Sequence, residues 1–197
     1  MRKRKILINE FRRKIFHILI LAYPALYYII LRLTKSKFLG LSILLGILLT
    51  FIIKEYFRIF KNLNLPLIKK LYREFESDKI GGEIYYMIGC ILALYFFDLR
   101  IAAAGILMVN FGDAISTIIG ISFGKTKIVE NKTLEGFIAG LFMNLIITIL
   151  ILENLLIAIP MAITGSITEL FSKKINDNLS IPLVSGLIGR IIKMFLL

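Results

Sequence analysis

The sequence predicts an all-α protein: a polytopic membrane bundle of about seven transmembrane helices, with six possible. Two observations lead to this fold class. The 197 residues are 58% hydrophobic with a mean hydropathy of +0.84, well above the apolar share of soluble domains. The apolar residues form continuous runs of near membrane-spanning length, not the alternating pattern of barrel strands. Because no long polar stretch divides these runs, residues 1–197 are predicted to form a single integral-membrane domain.

Seven apolar runs are the candidate transmembrane helices. They cover residues 15–33, 38–53, 80–97, 99–121, 135–152, 155–171 and 181–195. The second and the last are short for a bilayer, which is why six spans are possible. Segment 54–79 mixes large apolar side chains with many charges and contains Pro66. It is therefore predicted to be amphipathic and to lie on the cytoplasmic membrane surface.

The distribution of basic residues predicts the orientation of the bundle. With a cytoplasmic N-terminus, the cytoplasmic side carries 19 of the 25 Lys and Arg residues, and the other side carries six. This bias places the N-terminus inside. The net charge of +12 then follows from topology and from attraction to anionic lipid, so nucleic acid is not expected as a partner.

The start of the chain and the cysteine content bear on localisation. The basic segment 1–14 is not followed by a small-residue cleavage site, so no removable signal peptide is predicted. Cys90 is the single cysteine, which excludes an intramolecular disulfide. Together with the basic cytoplasmic loops, this fits a prokaryotic plasma membrane. No oligomeric state is predicted.

Polar side chains within or beside the apolar runs mark candidate functional sites, because such residues are costly in lipid and usually functional. On the fourth predicted helix, spacings of i, i+3, i+6 and i+7 predict one shared face for Asn110, Asp113, Ser116 and Thr117. The other candidates are Glu10, Arg13, Lys14 and His17 at the first predicted helix, Glu83 at the third, and Glu169, Asp177 and Asn178 around the end of the sixth.

Each candidate also has a structural interpretation. The residues at the start of the first predicted helix could form an interfacial ion-paired turn. Glu83 could cap its helix or snorkel to the interface, and Asp113 could pair with a buried lysine for structure alone.

The loop that follows Asp113 carries Lys125, Lys127 and Lys132. Acidic and basic groups in one region suit a divalent cation bound with phosphates, since Mg²⁺ takes one or two carboxylates together with phosphate oxygens. Lysines would neutralise the charge of a transferring phosphoryl group, and glycines would let the backbone approach it. The chemistry is therefore predicted to occur at the cytoplasmic membrane edge.

The glycines of this region permit two other interpretations. Gly136 and Gly140 form a G-x-x-x-G pair, which is more often a helix-packing device than a ligand loop. Gly120 and Gly124, followed by Lys125, resemble a P-loop superficially, but the glycines are one residue too close and a membrane helix precedes them. A P-loop is therefore excluded.

The stretch GDAISTIIGISFGKTKIVENKTLEG resembles the signature of the dolichol kinase and phytol kinase family, which includes the yeast-type CTP-dependent diacylglycerol kinases. The matching positions are Gly112, Asp113, Gly120, Gly124, Lys125, Lys132, Thr133, Glu135 and Gly136. EFRRKIFHIL resembles the family's N-terminal E-x-x-R-K-x-x-H, and ITELFSKKINDNLSIPL resembles its E…D-N-L-x-x-P ending. The three motifs occur in order over residues 10–190, with Asn176 at a position where some relatives carry Asp. The KTLEG form is nearer to dolichol kinases.

This resemblance implies a CTP-dependent kinase that transfers the γ-phosphate of CTP to a polyprenol-like, dolichol-like or diacylglycerol-like lipid alcohol in the bilayer, with Mg²⁺ as cofactor. The expected catalytic residues are Asp113, Lys132, Glu135 and His17, and the expected metal ligands are Asp113, Asp177 and Glu169. The expected CTP-binding residues are Gly112, Gly124, Lys125, Lys127, Lys132, Thr133, Gly136, Arg13, Lys14 and Asn178. Asp113 and His17 are the candidate general bases.

Two other functions remain open at this point. One is a phosphatidate-type cytidylyltransferase that makes a CDP-lipid, since such enzymes are distantly similar to this kinase family. The other is a small transporter in which Asp113 and Glu169 form an ion path, although no internal repeat typical of transporters is present.

Overall fold

The computed structural model describes residues 19–60, 80–129, 132–172 and 175–196. The helices are α1 (Ala22–Thr34), α2 (Lys37–Phe60), α3 (Gly82–Phe96), α4 (Leu99–Leu107), α5 (Asp113–Phe123), α6 (Leu134–Leu152), α7 (Leu155–Phe171) and α8 (Asp177–Leu196). A π-helical turn, Met108–Gly112, joins α4 to α5. An antiparallel hairpin of β1 (Lys127–Val129) and β2 (Lys132–Thr133) joins α5 to α6.

Four helical segments among the described residues are long and apolar enough to cross a membrane. They are Lys37–Ile59, Leu99–Phe123, Leu134–Leu152 and Asp177–Leu196. Helices α3 and α7 are apolar but shorter. The chain is therefore an integral membrane protein of the all-α class, as predicted, while a total of about seven spans and a cytoplasmic N-terminus stay predictions.

The core of the bundle lies where α3 and α4 meet α7 and α8. Tyr86 and Met87 of α3 are buried against this centre, as are Ile101 of α4, Met161 of α7 and Ile181 of α8. Helices α1 and α2 pack on the outside, and they contact the core cluster through buried side chains of their own. The large apolar side chains on the outer surface, where lipid replaces water as the solvent, remain exposed.

Small residues allow α5 and α6 to approach closely. A Cβ at Gly136 would lie 2.7 Å from the backbone oxygen of Ser116, and a Cβ at Gly140 would lie 2.8 Å from the Ser116 Cβ. Contacts this short leave no room for a side chain on α6. The packing interpretation of the G-x-x-x-G pair is therefore confirmed.

Two helix boundaries differ from the sequence-based prediction. Helix α2 continues to Phe60, so residues 54–60 of the predicted surface segment are helical; residues 61–79 lie outside the described part of the chain. The charges that suggested an exit from the membrane at Lys54 are instead neutralised by ion pairs. Helix α8 begins at Asp177 rather than at residue 181, because an acidic residue in a first helical turn is stabilised by the helix dipole.

Candidate functional site

One end of the bundle gathers most of the described residues that the sequence singled out. Here α2 and α7 end, α3, α6 and α8 begin, and the β-hairpin stands between α5 and α6. We call this the hairpin end. The predicted residues Arg13, Lys14 and His17 lie outside the described residues.

An ion pair joins the hairpin to α7. The Nζ atom of Lys132 donates a hydrogen bond to Oε1 of Glu169 at 2.7 Å. Glu169 is only 5% exposed, so its carboxylate is removed from bulk solvent and depends on this partner. The pair therefore holds β2 against the end of α7.

Several acidic groups act on Lys132 together. Burial is the largest single effect on the Lys132 pKa and would lower it. The negative charges of Glu169, Asp113 and Asp177, with the hydrogen bond that Lys132 donates to Glu169, outweigh burial. The pKa of the ammonium consequently lies above its ordinary value, and Lys132 is cationic at neutral pH. One lysine is thus the electrostatic centre for acidic residues from α5, α7 and α8.

Asp113 is buried at the first position of α5. It is 7% exposed, and its Oδ1 atom accepts a hydrogen bond from Oγ1 of Thr117 at 3.2 Å. Helix α5 has 11 residues, so Asp113 lies about 15 Å along the helix from the hairpin end. Thr117 lies one turn closer to that end. The prediction that the site lies at the cytoplasmic membrane edge stays a prediction.

The predicted common face does not include Asn110. Its Nδ2 atom donates to the Tyr86 hydroxyl at 2.8 Å and to the Ile106 carbonyl at 2.9 Å, which holds the side chain against α3. Asn110 belongs to the π-helical turn before Asp113, and the wider turn changes the angular spacing on which the prediction depended. Such turns are frequent at functional sites.

The hairpin and the start of α6 form a single hydrogen-bonded unit. Thr133 is the N-cap of α6, and its Oγ1 accepts from the Gly136 N–H at 3.3 Å. The Glu135 carboxylate accepts from the Thr126 N–H at 3.1 Å, while the Leu134 N–H donates to the Thr126 carbonyl at 2.8 Å. Glu135 therefore orders the loop backbone, and its predicted catalytic role stays a prediction.

Two of the predicted phosphate-binding lysines are open to solvent. Lys125 and Lys127 are both exposed, one before β1 and one on it. Since Glu135 fixes the backbone at the intervening Thr126, the two ammonium groups project from an ordered loop. They are placed to contact an anion that approaches the hairpin end from water.

The predicted glycines have a packing function in this structure. Cβ atoms at Gly112, Gly124 and Gly136 would collide with Asn144, Thr133 and Ser116 respectively. Their predicted contribution to CTP binding stays a prediction. Gly124 nevertheless places the loop directly against Thr133, so it helps to fix the start of the hairpin.

Asn178 connects α8 to α3. It is 5% exposed, and its Nδ2 atom donates to the Gly82 carbonyl at 3.1 Å. Its N–H donates to Oδ1 of Asp177 and Oδ1 of Asn176, both at 3.0 Å. The side-chain amide of Asn178 is thus engaged in helix packing, and its predicted contact with CTP stays a prediction.

The expected metal ligands Asp113, Asp177 and Glu169 lie on α5, α8 and α7, and their binding of Mg²⁺ stays a prediction. Within residues 19–60, 80–129, 132–172 and 175–196, no three His, Cys, Asp or Glu side chains form a group that could hold a metal ion. Glu169 is paired with Lys132. Mg²⁺ bound together with phosphates needs only one or two carboxylates, and Asp113, Asp177 and Glu169 all act on the same lysine. A smaller ligand set drawn from these three therefore fits the donor chemistry.

Sequence reasoning missed two buried polar groups near the site. Glu55 and Arg58, 3% and 9% exposed, form an ion pair at the end of α2 with Nη2–Oε1 at 2.6 Å. Asn144 of α6 donates to Oγ of Ser166 on α7 at 2.9 Å. A signal existed in both cases: opposite charges at i and i+3 for the first, and an amide within an apolar run for the second.

Comparison with known proteins finds uncharacterized relatives and named kinases. The chain is 33% identical over 153 residues to the uncharacterized protein MJ1137 of Methanocaldococcus jannaschii, covering 75% of each protein. It is 26% identical over 192 residues to the uncharacterized protein RP860 of Rickettsia prowazekii, covering 88% of this chain and 90% of that protein.

The named relatives match over shorter shares. The CTP-dependent diacylglycerol kinase 1 of Schizosaccharomyces pombe is 35% identical over 89 residues, covering 42% of this chain and 41% of the kinase. The protein of the same name from Eremothecium gossypii is 25% identical over 143 residues, covering 70% and 44%. No protein-family model matches the chain, and no solved structure matches it.

Proposed function

This chain belongs to the same family as the uncharacterized protein MJ1137 of Methanocaldococcus jannaschii, and we propose that it is a membrane-embedded kinase that transfers the γ-phosphate of CTP to a lipid alcohol. The partial similarity to two CTP-dependent diacylglycerol kinases supports this function. The chain spans less than half the length of those two kinases. The observation that carries the proposal is the Lys132–Glu169 ion pair, with the charges of Asp113 and Asp177 acting on the same lysine.

The proposed phosphoryl transfer requires no covalent bond between the substrate and the protein. The lipid hydroxyl oxygen forms a bond to the γ-phosphorus, the bond from that phosphorus to the β–γ bridging oxygen breaks, and CDP leaves. The hydroxyl proton passes to a base, for which Asp113 and His17 are the candidates. Catalysis then consists mainly of positioning and charge neutralisation, which suits a site of lysines and carboxylates.

Lys132 is the residue best placed to neutralise the phosphates. Its ammonium is cationic and partly exposed, and it is attached to an ordered hairpin. Lys125 and Lys127 extend from the same loop toward solvent. In this proposal the two exposed lysines attract CTP, and Lys132 contacts the phosphoryl group that is transferred.

A magnesium ion would be held by Asp113 with Asp177 or Glu169, together with phosphate oxygens. When bound, it would add positive charge at the phosphates. In its absence Lys132 supplies the compensating charge for Glu169. Lys132 therefore has two successive partners in the proposal, a carboxylate before CTP binds and a phosphate afterwards.

The acceptor and the location are also proposals. A diacylglycerol-like alcohol is the first acceptor to test because the named relatives are diacylglycerol kinases; a dolichol-like polyprenol is the second. The hairpin end would face the cytoplasm of a prokaryotic plasma membrane, where CTP is available.

The deciding experiment follows phosphate from CTP labelled at either the α or the γ position. The purified protein in detergent is supplied with magnesium and, separately, diacylglycerol, a polyprenol or phosphatidate. Label that enters lipid only from the γ position supports the kinase. Label from the α position would make the protein a CDP-lipid synthase, and the absence of label from both positions with every acceptor would contradict the proposal.

A transport function is the second candidate, and the depth of Asp113 favours it. A buried carboxylate about 15 Å from the helix end is expected on an ion path through a membrane. Proteoliposomes separate the two functions, because a transporter would move ions without CTP. Ion flux that disappears in Asp113→Asn, in a protein that transfers no label, would favour transport.

A further inference from the structure

The end of α2 is attached to the start of α3 by two buried or partly buried acidic groups. Nζ of Lys54 donates to Oε1 of Glu83 at 2.9 Å. Oε1 of Glu55 accepts the N–H of Gly81 at 2.7 Å. Gly81 is the N-cap of α3, so Glu55 satisfies a backbone donor at that helix terminus.

Glu55 is held in place for this contact. Arg58 binds both of its carboxylate oxygens, with Nε–Oε2 at 3.0 Å and Nη2–Oε1 at 2.6 Å. With Glu55 only 3% exposed, its charge depends on these partners, because an unpaired buried charge is strongly destabilising. The carboxylate therefore has a defined position between Arg58 and Gly81.

The start of α3 in turn positions the start of α8. The Gly82 carbonyl, one residue after the Glu55 contact, accepts the side-chain amide of Asn178 at 3.1 Å. A Cβ at Gly82 would lie 3.1 Å from that amide nitrogen, and a Cβ at Gly89 would lie 2.7 Å from the Asn178 carbonyl. Glycines at these two positions allow α8 to rest directly on α3.

Asp177 precedes Asn178 and acts electrostatically on Lys132. A continuous set of contacts therefore leads from Glu55 through Gly81–Gly82 and Asn178 to Asp177, whose charge acts on Lys132. The hydrogen bonds of Glu55 with Gly81, Gly82 with Asn178 and Asn178 with Asp177 are all 3.1 Å or shorter. None of the sequence motifs includes Glu55.

We infer that Glu55 is a positioning residue. It holds the start of α3 in contact with the Asn178 side-chain amide and thereby fixes the position of Asp177 relative to Lys132. The inference rests on the proposed function for its effect on CTP, but the coupling itself is a property of the fold. Glu55 touches no substrate in this scheme and acts through Asn178. Its loss should loosen the first turn of α8 before it affects the rest of the bundle.

The coupling is tested by hydrogen exchange, read by mass spectrometry on the full-length protein in detergent. In Glu55→Ala, amides of residues 177–181 should exchange roughly fivefold faster than in the wild type, because one buried hydrogen bond on the route is lost. Glu55→Gln keeps an acceptor for the Gly81 N–H and should restore most of the protection. Asn178→Ala should accelerate exchange at residues 81–84, since it breaks the same route from the other side.

Arg100→Ala is the matched control. It removes an exposed ion pair with Glu153, 3.0 Å long, near the opposite end of the bundle, and should leave exchange at residues 177–181 unchanged. Unchanged exchange in Glu55→Ala, or an equal acceleration in Arg100→Ala, would overturn the coupling. If Glu55→Ala does not fold, Glu55→Gln and Asn178→Ala still decide it.

Kinetics provide the second measurement. Glu55→Ala should raise the KM for CTP several-fold and leave the KM for the lipid acceptor unchanged, because only the charge beside Lys132 is displaced. If Glu55 had a purely structural role, its loss would lower the fraction of active protein and hence the apparent kcat, and the KM values for CTP and lipid would stay unchanged. That result would overturn the positioning role. A wild-type protein without kinase activity would refute the proposed function instead, and hydrogen exchange would still report on the coupling.

Discussion

At Asp113 a carboxylate is buried within a helical segment long enough to cross a membrane. A charged group in that position is costly and persists where it has partners. Thr117 supplies a hydrogen bond and Lys132 supplies positive charge. These two interactions offset part of the cost of burying the side chain.

Asp113→Asn should lower kinase activity at least about 100-fold, because the substitution removes the charge that would bind metal or accept a proton while it keeps the side-chain volume. Membrane insertion and the unfolding temperature should change little. Initial rates with γ-labelled CTP and thermal unfolding in detergent measure the two effects.

Asp98→Asn is the control for this experiment. It alters a carboxylate that pairs with Lys193 at 2.8 Å and is largely exposed, and it should keep normal activity. A turnover near that of the wild type in Asp113→Asn would remove Asp113 from the mechanism.

Sequence reasoning singled out Asp113 as a candidate and missed Glu55 for one physical reason. A carboxylate inside an apolar run is conspicuous, because lipid cannot solvate it. Glu55 follows an apolar run, where charges normally mark the exit into water, and only the tertiary contact with Gly81 reveals that it is buried. Likewise, the proximity of Lys132 to Glu169 depends on side chains 37 residues apart.

At the scale of elements, the contact between α5 and α6 carries the hairpin. The G-x-x-x-G pair on α6 rests against Ser116 and Gly120 of α5, and the loop between these helices holds Lys125, Lys127 and Lys132. If α5 and α6 packed less closely, the end of α5 and the start of α6, to which the hairpin is attached, would move apart. The packing of Gly136 and Gly140 against α5 therefore helps to fix the positions of the three lysines.

Gly136→Ala should destabilise the protein by about 1–3 kcal/mol, because the added methyl group meets the backbone oxygen of Ser116, which cannot move without shifting α5. Gly46→Ala is the matched control on α2, where a Cβ meets nothing within 4 Å. That variant should be neutral or slightly stabilising through helix propensity. Thermal unfolding in the same detergent compares them, and equal melting temperatures would contradict the packing role.

The helices could be predicted because continuous apolar runs have few stable alternatives in lipid. The π-helical turn Met108–Gly112 could not be predicted from the sequence. It depends on contacts between distant segments, such as the hydrogen bond between Asn110 and Tyr86. The hairpin was expected only as a loop. Its strands are three and two residues long, too short for a periodic signal, and the Thr126 contacts with Leu134 and Glu135 stabilise it.

At the scale of the whole molecule, the hairpin end and the opposite end are chemically distinct. The hairpin end carries the buried ion pairs of Glu55 and Glu169. The opposite end carries the exposed pairs of Arg100 with Glu153 and Lys193 with Asp98. Of these four ion pairs, only the two at the hairpin end include groups removed from water. Electrostatic interactions are stronger there because the local dielectric constant is lower.

Cysteine labelling should establish which end faces the cytoplasm. The native Cys90 is 1% exposed and provides a silent background, so single cysteines can be placed at the exposed positions Lys127 and Arg100. A membrane-impermeant maleimide added to intact spheroplasts should label Arg100→Cys at once and Lys127→Cys only after permeabilisation. The reverse pattern would place the hairpin end outside and contradict a cytoplasmic CTP site.

The shortness of α7 has a consequence for the surrounding lipid. Its 17 residues extend about 25 Å, less than the roughly 30 Å of a hydrocarbon core, and its outer face exposes Leu156, Ile159, Ile163 and Ile167. A bilayer adapts to such a mismatch by thinning locally, and α7 ends at the hairpin end, where Glu169 pairs with Lys132. The membrane surface would dip there and form a shallow depression, in which water reaches down to the ion pairs while acyl chains still surround the outer helices. A water-soluble nucleotide and the head of a lipid alcohol could then meet without either leaving its own solvent, and the thickness of the host membrane would set how closely they approach.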